Sequence, residues 1–303
     1  GKIPHMYVAA AVISTIIGSV YTWFQKSRGT SASVFATSLF LLVIVISFRF
    51  SLGRQANDIA SFGLLAWYPV IYALLAVILW HSAGRLFDVR QGKRLFGLIG
   101  AGELLASVLG GLSTPFFVSR YGAENLLFIS IIGLLFNLAL TAFTIRIYRD
   151  RMVEDVVGSV DADDTDRLRD AIKSRYVVLL FVLYLLMVSV THLVDFTFYD
   201  QARIRYKDQN ALANYFGLFF AVTHGAALTM GALVSGRFIS RFGIKIGMRV
   251  RPITILICAV FMAGLWFSGA TIASFFLLST ATKFFDLVLV RSFSGPSFLV
   301  LYQ

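Results

Sequence analysis

The stretch "FGLIGAGELLASVLGGLSTPFFVSRYG", Phe96–Gly122, has a near-copy further along the chain, "FGLFFAVTHGAALTMGALVSGRFISRFG", Phe216–Gly243. Each begins on Phe-Gly-Leu. Each runs through residues rich in Gly and Ala and closes on a Ser-Arg-aromatic-Gly turn, "FVSRYG" (Phe117–Gly122) in the first and "FISRFG" (Phe238–Gly243) in the second. The distance from opening to turn differs by one residue. Small side chains let helices approach closely in lipid, and a Gly at the end of such a run terminates a helix. If each apolar run crosses a bilayer, three crossings separate the starts of the two copies, so they traverse in opposite senses. That is the pattern of an inverted-topology repeat, on which many secondary transporters are built.

Composition supports crossing. Of the 303 residues 58% are apolar and 14% charged, and the mean hydropathy is +0.79. A soluble chain carries about 25% charge. A bilayer crossing takes about 20 apolar residues, and runs of that length cover approximately 5–24, 34–53, 62–87, 95–118, 122–147, 174–200, 211–238, 250–268 and 270–293. Runs this long satisfy their backbone in lipid only as helices. The fold class expected is therefore an all-α membrane bundle of about nine spans. The single cysteine, Cys258, lies in an apolar run and permits no disulfide within the chain. The chain opens on Gly1 and runs straight into a span, with no cleavable leader pattern.

One segment reads as soluble. "YRDRMVEDVVGSVDADDTDRLRDAIK", residues 148–173, holds eight of the sixteen acidic residues. It divides the chain into an N-terminal half (1–147), a charged linker (148–173) and a C-terminal half (174–303). Asp163, Asp164 or Thr165 is placed to cap a short amphipathic helix. The Asp cluster lacks the Gly and distal Glu of a calcium loop, so no metal is expected there. The Lys and Arg residues fall mainly in alternate loops, eighteen against seven, with Arg251 counted in the richer set beside Arg249. By the positive-inside rule the richer set, linker included, faces the cytoplasm. The net charge of +11 is then topology, and no nucleic-acid partner is needed to explain it.

The segment "GRFISRFGIKIG", Gly236–Gly247, resembles the cytoplasmic loop motif of the major facilitator superfamily. Gly236, Arg241, Gly243 and Lys245 fit the motif, and Ser240 stands where it usually has Asp. The equivalent earlier loop, "GSVYTWFQKSRG", keeps only Gly18, Lys26 and Arg28. The resemblance implies a major facilitator-like bundle with inverted three-helix repeats, of which the chain supplies the second to the tenth helix. A narrower resemblance, on "KRLFGLIGAGELLASVLGG" (Lys93–Gly111) and the terminal "GPSFLVLYQ", is to the ATP/ADP antiporter family of plastids and intracellular bacteria. It extends to bacterial relatives whose membrane unit is fused to cyclic-nucleotide-binding or HEAT-repeat domains. It implies nucleotide transport by antiport, a bacterial inner membrane, and a fused or associated soluble regulatory domain as partner.

Charges inside a span are expensive and point to function. Glu103 lies seven residues after Phe96, and Thr223 lies seven after Phe216 with His224 next. The repeat therefore mirrors Glu103 against Thr223 and His224 near mid-membrane, where transporter sites lie. These three are the candidate substrate- or proton-binding residues. His192 and Asp195, one helical turn apart, form with Tyr199 a candidate outer gate. "RLFD" (Arg85–Asp88) and "KFFD" (Lys283–Asp286) each carry a cation and a carboxylate on one helix face. Arg85, Asp88, Lys283 and Asp286, read towards the cytoplasmic ends, form with Arg241 a candidate inner charge network. Pro69 is expected to kink its helix, with Trp67 and Tyr68 in an interfacial belt. No nucleophile–base pair, phosphate loop or zinc pattern appears, so no enzyme activity, metal or cofactor is expected. The functional expectation is a secondary transporter of an anionic solute such as a nucleotide, working by alternating access. The alternative is a non-transporting membrane module that anchors or regulates an attached soluble domain.

Overall fold

A computed structural model describes residues 3–28, 30–54, 58–86, 89–148, 175–269 and 271–294. The linker residues 149–174, Asp88 and the terminal "GPSFLVLYQ" lie outside the described residues, as do the candidate caps Asp163, Asp164 and Thr165. The described chain is helical, with no strand. Its helices are α1 (Ile3–Arg28), α2 (Thr30–Arg54), α3 (Asp58–Leu86), α4 (Val89–Tyr121) and α5 (Leu126–Ile147), then α6 (Arg175–Arg205), α7 (Gln209–Met230), α8 (Gly236–Phe242), α9 (Ile244–Phe267) and α10 (Ile272–Leu289). A π-helical turn, Gly231–Ser235, joins α7 to α8, and a second, Val290–Ser294, extends α10. Eight of these runs are long and apolar enough to cross a membrane, and a shorter apolar stretch, Ala9–Gln25, lies in α1. The protein is a multi-pass, all-α membrane protein, as its apolar runs require.

Packing groups the helices into two units, Gly1–Gly97 with Glu124–Asp161, and Leu98–Ala123 with Ala162–Gln303. In the first, α2 packs on α5 and α1 on α3. Leu41, Leu42 and Val45 of α2 meet Val70 and Leu74 of α3 and Leu134 of α5 in a buried cluster. On the far side of α5 Phe136 and Leu140 are exposed, as expected where lipid replaces water as the outer solvent. At one end of this unit Arg49 donates to Asn125 Oδ1 at 2.9 Å and lies 4.5 Å from the centre of the Phe128 ring. Helix α3 runs through Pro69. Tyr68 is exposed, as a belt residue would be, whereas Trp67 is half-buried and packs edge-on against Phe40 at 6.2 Å.

In the second unit α10 is central, packing on α6, α7 and α9. Phe198 of α6 is fully buried, with Phe219 of α7 4.6 Å away and Phe216 5.7 Å away. Asp208 caps α7 through the Ala211 N–H at 2.8 Å. The two copies of the repeated segment meet in this unit. A Cβ on Gly217 would lie 2.6 Å from Thr114 Cβ, one on Gly111 2.9 Å from Ala221 Cβ, and one on Gly225 3.8 Å from Val108. As numbering rises along α4 it falls along α7, so the copies lie antiparallel, as their opposite senses demand.

Both turn glycines of the repeat are conformationally required. Gly122 has φ +80° and Gly243 φ +79° with ψ 163°. The latter region is essentially closed to residues with a Cβ. Gly243→Ala is therefore expected to lose about 1–3 kcal/mol, read as a lower melting temperature in detergent. An unchanged melting temperature would show that the α8–α9 turn relaxes freely. Gly236→Ala, at a helical position where a Cβ meets nothing within 4 Å, is the neutral control.

Candidate functional site

Two sets of charged side chains occupy the second unit. The first is buried. Arg251 of α9 bonds Asp286 of α10 twice, Nε to Oδ1 at 2.9 Å and Nη2 to Oδ1 at 2.8 Å. Its Nη2 also donates to Thr191 Oγ1 of α6 at 2.6 Å. Lys283, one turn before Asp286, donates to Asp195 of α6 and lies 3.9 Å from Asp286 Oδ2. Arg251, Lys283 and Asp286 are each at most 4% exposed and Asp195 18%. Two cations and two carboxylates give a net charge of zero, which is how a protein holds ions in a low-dielectric interior.

This tetrad regroups three of the sequence candidates. Asp195 stands 10 residues before the end of α6 at Arg205, and Lys283 stands 11 after the start of α10 at Ile272. At 1.5 Å per residue both lie about 15 Å from the helix ends joined by the short connections. Asp195 therefore belongs with Lys283 inside the spans rather than with a set at the outer end. Lys283 and Asp286 likewise do not meet Arg241. Arg241 is exposed, its guanidinium 5.6 Å from the Phe242 ring. His192 is also exposed, and Tyr199 packs edge-on against Phe216 at 5.5 Å. Arg85 lies near the end of α3, with its partner in the sequence reading, Asp88, outside the described residues. Arg251 was missed by the sequence reading because it sits at the margin of an apolar run, next to Pro252, and was counted as a loop cation. The structure buries it.

The second set is half-exposed. Arg291, in the π-helical turn that extends α10, grips Glu103 of α4 with both arms: Nη2 to Oε1 at 2.6 Å and Nη1 to Oε2 at 3.3 Å. The two side chains are 32% and 38% exposed. His224 lies within electrostatic reach of Glu103, Arg291 and Lys283, and its Nδ1 is 2.7 Å from Phe220 O. Glu103 and His224 thus share one region, as their mirrored positions in the repeat suggest. Thr223 is fully buried and donates its hydroxyl to Phe219 O at 2.7 Å. Arg291 was absent from the sequence reading. The signal was present: a lone cation in "LVLVRSF" must find a partner inside a span.

The π-helical turns reinforce this region. Ser235, in the turn after α7, donates to Ser292 O in the turn after α10, and Ser292 Oγ donates to Ala227 O at 3.2 Å. Such turns concentrate at functional sites because they re-aim side chains out of the regular helical register. Here one of them carries Arg291. Among the described residues no cluster of His, Cys, Asp and Glu is arranged to hold a metal.

Residues 161–283 match the family model described as TLC ATP/ADP transporter. The match covers about two-fifths of the chain and takes in Thr191, Asp195, His224, Arg251 and Lys283. No curated protein and no solved structure matches the chain. The matching family is one of transporters, and the matched segment lies in the second unit, where both charged sets are found.

Proposed function

We propose that the chain is a secondary transporter of a phosphate-bearing anion, a nucleotide, and that Arg291 is the residue that takes the phosphate. The observation that carries this reading is the half-exposed Arg291–Glu103 fork inside the membrane-spanning bundle. A guanidinium fork matches phosphate oxygens as well as it matches a carboxylate. Glu103 then holds Arg291 while the site is empty, and an arriving phosphate exchanges for the carboxylate. The released Glu103, beside His224, is the proton- or counter-ion-binding group of the cycle. The match to the ATP/ADP transporter model supports the nucleotide as the anion. Thr223, its hydroxyl already bonded, serves packing beside His224. Tyr199 is assigned to the gate at the Arg205 end of α6; His192, three residues deeper than Asp195, falls with the depth of the tetrad rather than with that gate. Arg85 and Asp88 of the first unit, and separately Arg241 of the second, are assigned to the cytoplasmic side of a bacterial inner-membrane protein, with the charged linker on that side too. Alternating access would move the helices around the buried tetrad, which stays closed.

Proteoliposomes loaded with unlabelled ATP should take up labelled ADP in a saturable, exchange-dependent manner. Arg291→Gln removes a charge-assisted contact worth about 1.5–3 kcal/mol, which raises half-saturation about 10–100-fold. Glu103→Gln keeps the side-chain shape and removes the charge that faces Arg291, so melting in detergent is retained while half-saturation shifts about tenfold. Absence of saturable flux for every nucleotide tested would overturn the transport reading in favour of a module that anchors or regulates a soluble domain. Wild-type flux in Glu103→Gln would remove Glu103 from the cycle.

A further inference from the structure

A second feature lies on the same helices. Between α7 and α10 is a groove of about 610 Å³. That volume falls within the range of small-molecule sites. Its walls include Tyr206, Asn214, Tyr215, Leu218, Thr280 and Phe284. The rings of Tyr206 and Tyr215 stack, with centroids 4.9 Å apart and planes 26° apart, and Phe276 lies edge-on to Tyr206 at 5.9 Å. The Tyr215 hydroxyl is fixed against Thr280 Oγ1 at 2.8 Å. The groove is thus a preset wall of flat rings whose orientation is locked by a hydrogen bond.

Asn214 breaks the apolar pattern. Its carboxamide oxygen is buried and has no hydrogen-bond partner among the described residues. A buried polar atom without a partner carries an uncompensated desolvation cost, and native proteins retain few of them. The terminal torsion of Asn is broad and two-fold, so a rotation turns either the oxygen or the NH2 into the groove. A carboxamide offers one acceptor and one donor side by side. A nucleobase edge offers the complementary pair, and its flat face suits stacking on aromatic side chains.

The geometry points to a base-binding subsite: the groove between α7 and α10 takes the nucleobase of the transported nucleotide, stacked on Tyr206 and Tyr215 and read by Asn214. This rests on the transport reading above and assigns the other end of the same solute. Position along α10 supports it. Phe284 lines the groove, and Arg291 follows seven residues later, in the π-helical turn that extends α10. A nucleotide lying along α10 places its base in the groove and its phosphates towards Arg291. The groove would then provide selectivity for the base, and the Arg291–Glu103 pair affinity for the phosphates.

The test measures binding of radiolabelled ADP to the reconstituted full chain, with pyrophosphate and adenosine as competitors. Asn214→Leu preserves volume and removes the amide, and Tyr206→Leu removes the outer ring. Each should weaken ADP about tenfold, abolish competition by adenosine, and leave competition by pyrophosphate unchanged. ADP binding equal to wild type in both variants would overturn the assignment, as would equal weakening of pyrophosphate or no ADP binding by the wild-type chain. The two readings separate cleanly. Nucleotide flux that is indifferent to Asn214 rejects the groove and keeps transport. Binding that depends on Asn214 without any flux keeps the groove and rejects transport.

Discussion

Asp286→Ala is expected to be the most destabilising single change in the buried tetrad, at about 3–5 kcal/mol. The carboxylate receives both bonds from Arg251 and faces Lys283. Without it Arg251, 4% exposed, retains only the Thr191 hydroxyl as a partner in this cluster, and an ion so far from water cannot be rehydrated without opening the helices. Lys283 keeps Asp195, so the loss falls on the α9–α10 contact. Total stability for a domain is about 5–15 kcal/mol, so this is a large part of it. The buried Cys258 on α9 supplies a reporter, because a thiol-reactive dye labels it only when the second unit opens. The variant should label at a temperature well below that of the wild type. Replacing both partners, Arg251→Met with Asp286→Leu, removes the stranded charge and should restore most of the lost stability. Wild-type labelling in Asp286→Ala would mean that solvent reaches Arg251 and that the tetrad is not closed.

The same residues show why the site was only partly legible in the sequence. The helical fold was open to reading, because apolar runs of bilayer length allow no other way to satisfy the backbone. The repeat was legible for a similar reason. Gly122 and Gly243 had to be turn glycines, and the structure gives both of them positive φ. The opposite senses of α4 and α7 followed from counting crossings; that the two helices pack on each other did not, and comes from the close approach of Gly111 and Gly217. Partnership between charges was not legible. A spacing of three residues places Lys283 and Asp286 on one face of α10, and the natural inference is that they pair with each other. In the structure they stand 3.9 Å apart and each has a nearer partner on another helix, Asp195 of α6 and Arg251 of α9. The face was right, but the face alone does not say which neighbouring helix lies against it. Depth failed likewise for Asp195, since an apolar run shows a span but not where long charged helix ends leave the bilayer. Arg291 illustrates a third limit. It sits in a π-helical turn, where the regular 3.6-residue register that sequence reading assumes does not hold.

Gly111→Leu should separate the two repeat helices. A Cβ at Gly111 would collide with the Gly217 carbonyl oxygen and stand 2.9 Å from Ala221 Cβ and 3.0 Å from Ala221 N. Two of these three atoms are backbone, so no side-chain rotation relieves the contact and α4 must move away from α7. Added bulk at a close crossing is destabilising by about 1–3 kcal/mol, occasionally more, and Leu places three further carbons beyond the Cβ. A Cβ on the preceding residue, Gly110, would meet nothing within 4 Å. Gly110→Leu therefore adds the same mass to the same helix and should leave stability within about 0.5 kcal/mol. A pair of neighbouring glycines with opposite outcomes tests the crossing itself rather than the helical propensity of α4. The consequence for the site is direct. Glu103 is carried on α4 and Arg291 on the extension of α10, which packs on α7. Moving α4 away from α7 draws Glu103 from Arg291, so Gly111→Leu should also abolish the exchange flux ascribed to that pair. Equal stability and flux in the Gly110 and Gly111 variants would show that the close crossing does not persist in the membrane, and that the ion pair is held together by something other than the repeat.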